Sequence, residues 1–134
     1  MSEPLPARVR WARIALAVAA PLFAAALLGQ VLLAGLGVFV GPGWFLRHAA
    51  FVHAFEWLSP LAVLFAHLGR STRGVKVLAW ITVALLYIQY MTADFRLVPA
   101  RQRFAALHVV SAMVLFWVAV ELARGALAAV RRPA

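Results

Sequence analysis

Four long apolar blocks restrict this chain more than any other feature. They cover roughly residues 14–40, 44–68, 77–93 and 104–122, and basic residues punctuate the gaps between them. Each is near or above the ~20 residues an α-helix needs to cross the hydrocarbon of a bilayer. In lipid a backbone must satisfy its own hydrogen bonds, which helices do within one segment. With 66% hydrophobic and 13% charged residues, the chain departs from soluble domains, which are about half apolar and about a quarter charged. The expected fold is all-α: a single integral membrane domain of four transmembrane helices.

The connections are short. GPG at 41–43 is a tight turn, GRSTRGVK at 69–76 turns the chain back, and the basic stretch DFRLVPARQR covers 94–103. Pro99 is suited to the first turn of the last helix. MSEPLPARVR reads as a polar tail before the first span, and ARGALAAVRRPA as a basic tail after the last. Short connections make neighbours in sequence antiparallel, so an up-down bundle is expected. Pro21 and Pro60 fall inside spans, where a proline can kink a membrane helix. Gly29, Gly35 and Gly37 let helices approach closely.

The net charge of +9 raises the possibility of a nucleic-acid partner, but its distribution argues against one. The basic residues lie at the ends of the apolar blocks, where they report topology. Arg8, Arg10, Arg13, Arg70, Arg73, Lys76, Arg124, Arg131 and Arg132 fall on one side, against Arg47, Arg96, Arg101 and Arg103 on the other. The positive-inside rule then places both termini in the cytoplasm of a multi-pass inner-membrane protein. Trp11, Trp44 and Trp80 lie near span ends, as interfacial aromatics do. The absence of cysteine excludes disulfides, thiolate metal sites and covalent c-type haem. The first block is too long for the h-region of a signal peptide and is read as a retained span.

Polar groups inside the blocks are costly and commonly functional. They are Gln30, His48, His53, Glu56, Gln89 and His108, with His67 and Glu121 near span ends; Glu121 can pair with Arg124. On a helical wheel Glu56, Pro60 and His67 all lie within about 60° of His53. This stripe is expected to face the other helices, while His48 lies about 140° away. His53 follows Arg47 by six residues and His108 follows Arg103 by five. If these arginines mark one plane, both imidazoles lie roughly 8–9 Å inward of it. On diagonal helices they could bracket a b-type haem and fill both axial positions, with His48 the rival ligand. Arg47 and Arg103, then Arg96 and Arg101, are the candidates for the propionates.

Two other readings remain open. A bare metal site would draw on His48, His53, His108 and Asp94, although the five-residue spacing of the first two turns them apart on a helix. Alternatively the polar groups only tie helices together, as Gln30 and Gln89 can, in a cofactor-free scaffold or accessory subunit; under the haem reading the same two glutamines are candidate contacts to the cofactor or a quinone. Glu56 can orient a neighbour, carry protons or pair with an arginine.

One pattern extends the first reading. Gln30 within GQVLLAGLGVFVG, then RHAAFVH, then Gln89, then LHVVSA at 107–112 resemble one four-helix half of heme A synthase. There a glutamine and glycines mark the first helix, a histidine the second, a glutamine the third and a histidine the fourth. The chain also resembles a group of small bacterial four-helix membrane proteins of unknown function. FLRH stands where the synthase's catalytic half has an acid before the histidine (EYxHR), and its cysteine pair is missing. The resemblance therefore implies a haem-carrying, cytochrome b-like fold rather than haem A synthesis. Electron transfer is the expected activity, with a quinone or redox protein as partner, membrane lipid as surroundings and a homodimer as one possible assembly.

Overall fold

The computed structural model describes residues 5–93 and 101–131, and within 101–105 the backbone alone. The described chain forms five helices: α1 (Ala7–Phe39), α2 (Trp44–Phe55), α3 (Leu58–Leu68), α4 (Arg73–Ala93) and α5 (Arg101–Arg131). Together they make four helical rods long and apolar enough to cross a membrane, because α2 and α3 form one span, Trp44–Leu68. The fold is thus the expected all-α membrane bundle. Arg96, Asp94 and Pro99 lie outside the described residues, as do the side chains of Arg101 and Arg103.

The break within the second span has a chemical cause. Pro60 has no N–H, so the Glu56 carbonyl loses its usual helical donor. Ser59 N–H serves it instead at 3.2 Å, and Leu61 N–H reaches Trp57 at 3.1 Å. Pro21, by contrast, lies inside an uninterrupted α1. The helices also overrun the apolar blocks. Residues read as tails at 7–13 and 123–131 are helical, because Val9, Ala12, Ala123 and Ala126 bury apolar surface there.

Consecutive spans touch, and α1 packs on α5 to close the ring. At the end carrying the two termini and the 69–72 connection, here the terminal end, small side chains fill the core. Ala20, Ala62, Ala66, Ala79, Ala123 and Ala126 pack around Leu16, Val75 and Leu122. Close backbone approach of this kind is how helices associate where lipid supplies no hydrophobic drive. The connection is held by Arg13, whose Nε donates to the Gly69 carbonyl at 3.0 Å. Arg70 takes a left-handed φ of 49° and Ser71 N–H returns to the Ala66 carbonyl at 3.0 Å, a Schellman ending for α3. In mid-bundle Phe23, Leu27, Phe55, Leu86, Leu115 and Ala119 form a second cluster.

Beyond that level, toward the GPG turn, packing thins. In α5 no described side chain before Leu115 is buried, and in α1 none from Leu28 to Leu36 is. Both halves of the second span pack on α1; α3, the half toward the termini, packs on α4 as well. The candidate histidines lie in this thinner half.

Candidate functional site

Two imidazoles in the thin half are held in the same way from different helices. On α5, His108 Nδ1 lies 3.1 Å from Thr92 Oγ1 of α4. The Thr92 hydroxyl donates to the Ile88 carbonyl at 2.8 Å, so its oxygen is left to accept, and Nδ1 carries the proton. On α2, His48 Nδ1 lies 3.0 Å from the Gln30 carbonyl of α1. A carbonyl only accepts, so this Nδ1 is also the protonated nitrogen. Both rings therefore present Nε2 with its lone pair, and neither Nε2 has a hydrogen-bond partner among the described residues.

Local sequence fixes His48 in this position. The Phe45 and Phe51 rings, three residues to either side, lie against α1 where it has glycines. A Cβ on Gly37 would come 2.8 Å from the Phe45 ring, and one on Gly29 would come 3.0 Å from Phe51. Gly29 and Gly37 are thus seats for α2 aromatics, and with those rings seated His48 reaches the Gln30 carbonyl. Gly35 meets nothing within 4 Å. The Gln30 side chain brings a further polar atom: its Oε1 is buried without a hydrogen-bond partner among the described residues.

Gln89 joins α4 to α5, its Nε2 donating to Ser111 Oγ at 2.7 Å, as expected of an interhelical contact. Arg47 stacks over the Trp44 ring, 4.4 Å from its centroid, near the GPG turn. Arg124 pairs with Glu121 at 3.0 Å. His67 accepts from Trp80 Nε1 at 3.3 Å. Among the described residues no three His, Asp or Glu side chains come together as metal ligands would.

The expected inward stripe of the second span is corrected. The buried face is Phe55, Ser59, Ala62 and Ala66, spaced four, three and four as one helical face requires. His53, Pro60 and His67 are exposed. The His53 side chain is 65% exposed, and its ring belongs to a separate cluster. Its Nδ1 lies 3.3 Å from Glu56 Oε1, and Tyr90 of α4 donates to Glu56 Oε2. Polarity misled because a short side chain at the right spacing, not a polar one, lets helices close in lipid. The spacing of Ser59, Ala62 and Ala66 carried that signal in the sequence.

Comparison with known proteins gives one likeness. A model of a family of unknown function (DUF6220) matches residues 30–94, from Gln30 through His48, His53 and Glu56 to Gln89 and Thr92. No curated protein and no solved structure matches the chain. The chain is a small multi-pass helical membrane protein similar, over these residues, to that family.

Proposed function

We propose that this protein binds one b-type haem in the thin half of its bundle, with His48 and His108 as axial ligands, and serves in electron transfer. The observation that carries the reading is the shared state of the two rings. Each has its Nδ1 proton committed to an oxygen on a neighbouring helix, at 3.0 Å for His48 and 3.1 Å for His108, and each leaves Nε2 as a free electron-pair donor. A second partner of this kind orients a metal-binding histidine and raises its basicity. The likeness to a heme A synthase half supports the same cofactor. It pointed to a histidine early in the second helix, and His48 fits that place better than His53, whose side chain is 65% exposed.

The donor set fits the group. Two neutral imidazoles, each with its Nδ1 proton already committed, suit haem iron. Arg47, near the GPG end, and Arg103 are the cations proposed for the propionates. Haem, when bound by two histidines, supplies reversible one-electron transfer at iron with no open coordination position. The chain's own part is to fix both rings, exclude water with lipid-facing side chains and hold the propionate end near the membrane surface. The arginine distribution supports an inner-membrane placement with both termini cytoplasmic and a redox partner on the opposite side.

The test is spectroscopic. Protein expressed with haem supplementation and purified in detergent is expected to show a Soret band and sharp reduced α and β bands at one haem per chain. A colourless, folded protein overturns the reading.

A second reading has its own support. The bonds His48–Gln30, His108–Thr92 and Gln89–Ser111 tie α2 to α1 and α5 to α4 without any ligand, as a cofactor-free scaffold or accessory subunit would require. Under that reading His108→Ala changes stability or partner association and nothing optical.

A further inference from the structure

The polar cluster that the haem reading does not use is His53, Glu56 and Tyr90. Glu56 stands halfway along the 25-residue span Trp44–Leu68, about 18 Å from either end at 1.5 Å per residue. Tyr90 donates to Glu56 Oε2. His53 Nδ1, 3.3 Å from Oε1, donates to the other carboxylate oxygen. This leaves His53 Nε2 as an acceptor on a ring that is 65% exposed. In this fold an exposed group at mid-span faces lipid, where an unpaired polar group is expensive. The ring itself is flat and lies near-parallel to Tyr90, with centroids 6.2 Å apart and planes 25° from parallel. Trp57, one turn along the same face, and Tyr87 on α4 are also exposed.

These facts specify a ligand. It must reach mid-membrane sideways through lipid, so it is lipid-soluble. It must offer an O–H to His53 Nε2, the acceptor left over once Glu56 has both its donors. A flat aromatic ring suits the Trp57 and Tyr87 faces, which favour offset stacking. We propose that His53, Glu56 and Tyr90 form a lipid-accessible binding site for the headgroup of a membrane hydroquinone. Glu56 and Tyr90 are positioning residues: they fix the His53 ring and its tautomer. His53 makes the direct contact, and Trp57 is the stacking face. The site uses neither His48 nor His108 and does not depend on haem being bound.

The probe is a decyl-tailed benzohydroquinone, with its oxidised quinone as comparison, titrated into the full-length protein in phosphatidylcholine nanodiscs. Tryptophan emission is the readout, and Trp57→Phe isolates the Trp57 signal among the five tryptophans. Saturable quenching of Trp57 is expected, with the hydroquinone binding roughly ten-fold or more tightly than the quinone, because only the reduced form donates an O–H. His53→Ala is expected to abolish saturation. His53→Gln, which keeps a side-chain acceptor, restores part of it, and Glu56→Gln weakens it several-fold. Circular dichroism confirms that each variant remains helical. Equal binding by wild type and His53→Ala overturns the proposal. So does an absence of saturable binding, including the case in which cross-linking instead shows a dimer that His53→Ala breaks, which would assign the face to a second copy of the chain. The same titration with and without haem supplementation separates failure here from failure of the haem reading.

Discussion

The two halves of the bundle use the same helices for different ends. Toward the termini, α1, α3, α4 and α5 close on alanines, with Ala20, Ala66 and Ala79 wholly inaccessible. Toward the GPG turn, the same rods carry Gln30, His48, Gln89, Thr92, His108 and Ser111, and few side chains are buried. Small residues at close contacts hold a membrane bundle together by packing alone. A half that forgoes such packing and spends its interior on polar groups must be stabilised by the other half. The division teaches that in this chain the fold is carried at one end and the chemistry at the other, so each can be broken separately.

The largest expected effect comes from breaking the chemical half. His108→Ala or His48→Ala is expected to remove nearly all bound haem, while His53→Ala retains it; a pyridine haemochrome assay on purified variants measures each. The three variants also decide between His48 and His53 as ligand. Retention of full haem by His48→Ala with loss in His53→Ala would reverse the assignment made from ring geometry.

Enlarging one side chain in each half sharpens the comparison. Ala79→Leu inserts three carbons where no space exists, and overpacking of this kind typically costs about 1–3 kcal/mol. Val110→Leu adds one carbon to an exposed side chain of the thin half and is expected to lie within about 0.5 kcal/mol of wild type. Unfolding in mixed micelles with increasing SDS reads both. Equal costs would mean that the thin half is packed in the membrane after all.

A smaller effect is expected at Gly29. Gly29→Ala brings a Cβ to 3.0 Å from Phe51, displacing α2 and with it the His48 ring. Haem affinity is expected to fall several-fold, with stability little changed. Gly35→Ala, which meets nothing within 4 Å, is the matched control.

Much of the packed half was legible in the sequence and much of the site was not. The four rods follow from block length, and the Glu121–Arg124 pair from spacing. The second span's inward face was misread because its polar residues were taken as the interior ones, although Phe55, Ser59, Ala62 and Ala66 already showed the face by size and spacing. His53 stays outside because Tyr90 of another helix completes its cluster, and no local pattern announces a contact 37 residues away. Taking Arg47 and Arg103 as one plane assumed that two helices end level. The bonds from His48 to Gln30 and from His108 to Thr92 seat each ring on its own neighbouring helix.

The finest test of the division is the buried hydroxyl pair inside the packed half. Ser59 Oγ and Thr82 Oγ1 lie 2.9 Å apart, both residues fully buried. Thr82 donates to the Ala79 carbonyl at 2.8 Å, so Ser59 is the donor between the two hydroxyls. Ser59→Ala removes that donor and leaves Thr82 satisfied within its own helix. Thr82→Val leaves Ser59 to seek a backbone carbonyl. A double-mutant cycle is expected to give a coupling of about 0.6 kcal/mol, the average for interhelical hydrogen bonds in a membrane protein. Because the alternative to this bond is not exposure to water, its weakness would be consistent with alanine packing holding the half together. A coupling well above about 2 kcal/mol would instead make the polar pair the anchor, and the contrast between a packed half and a polar half would no longer hold.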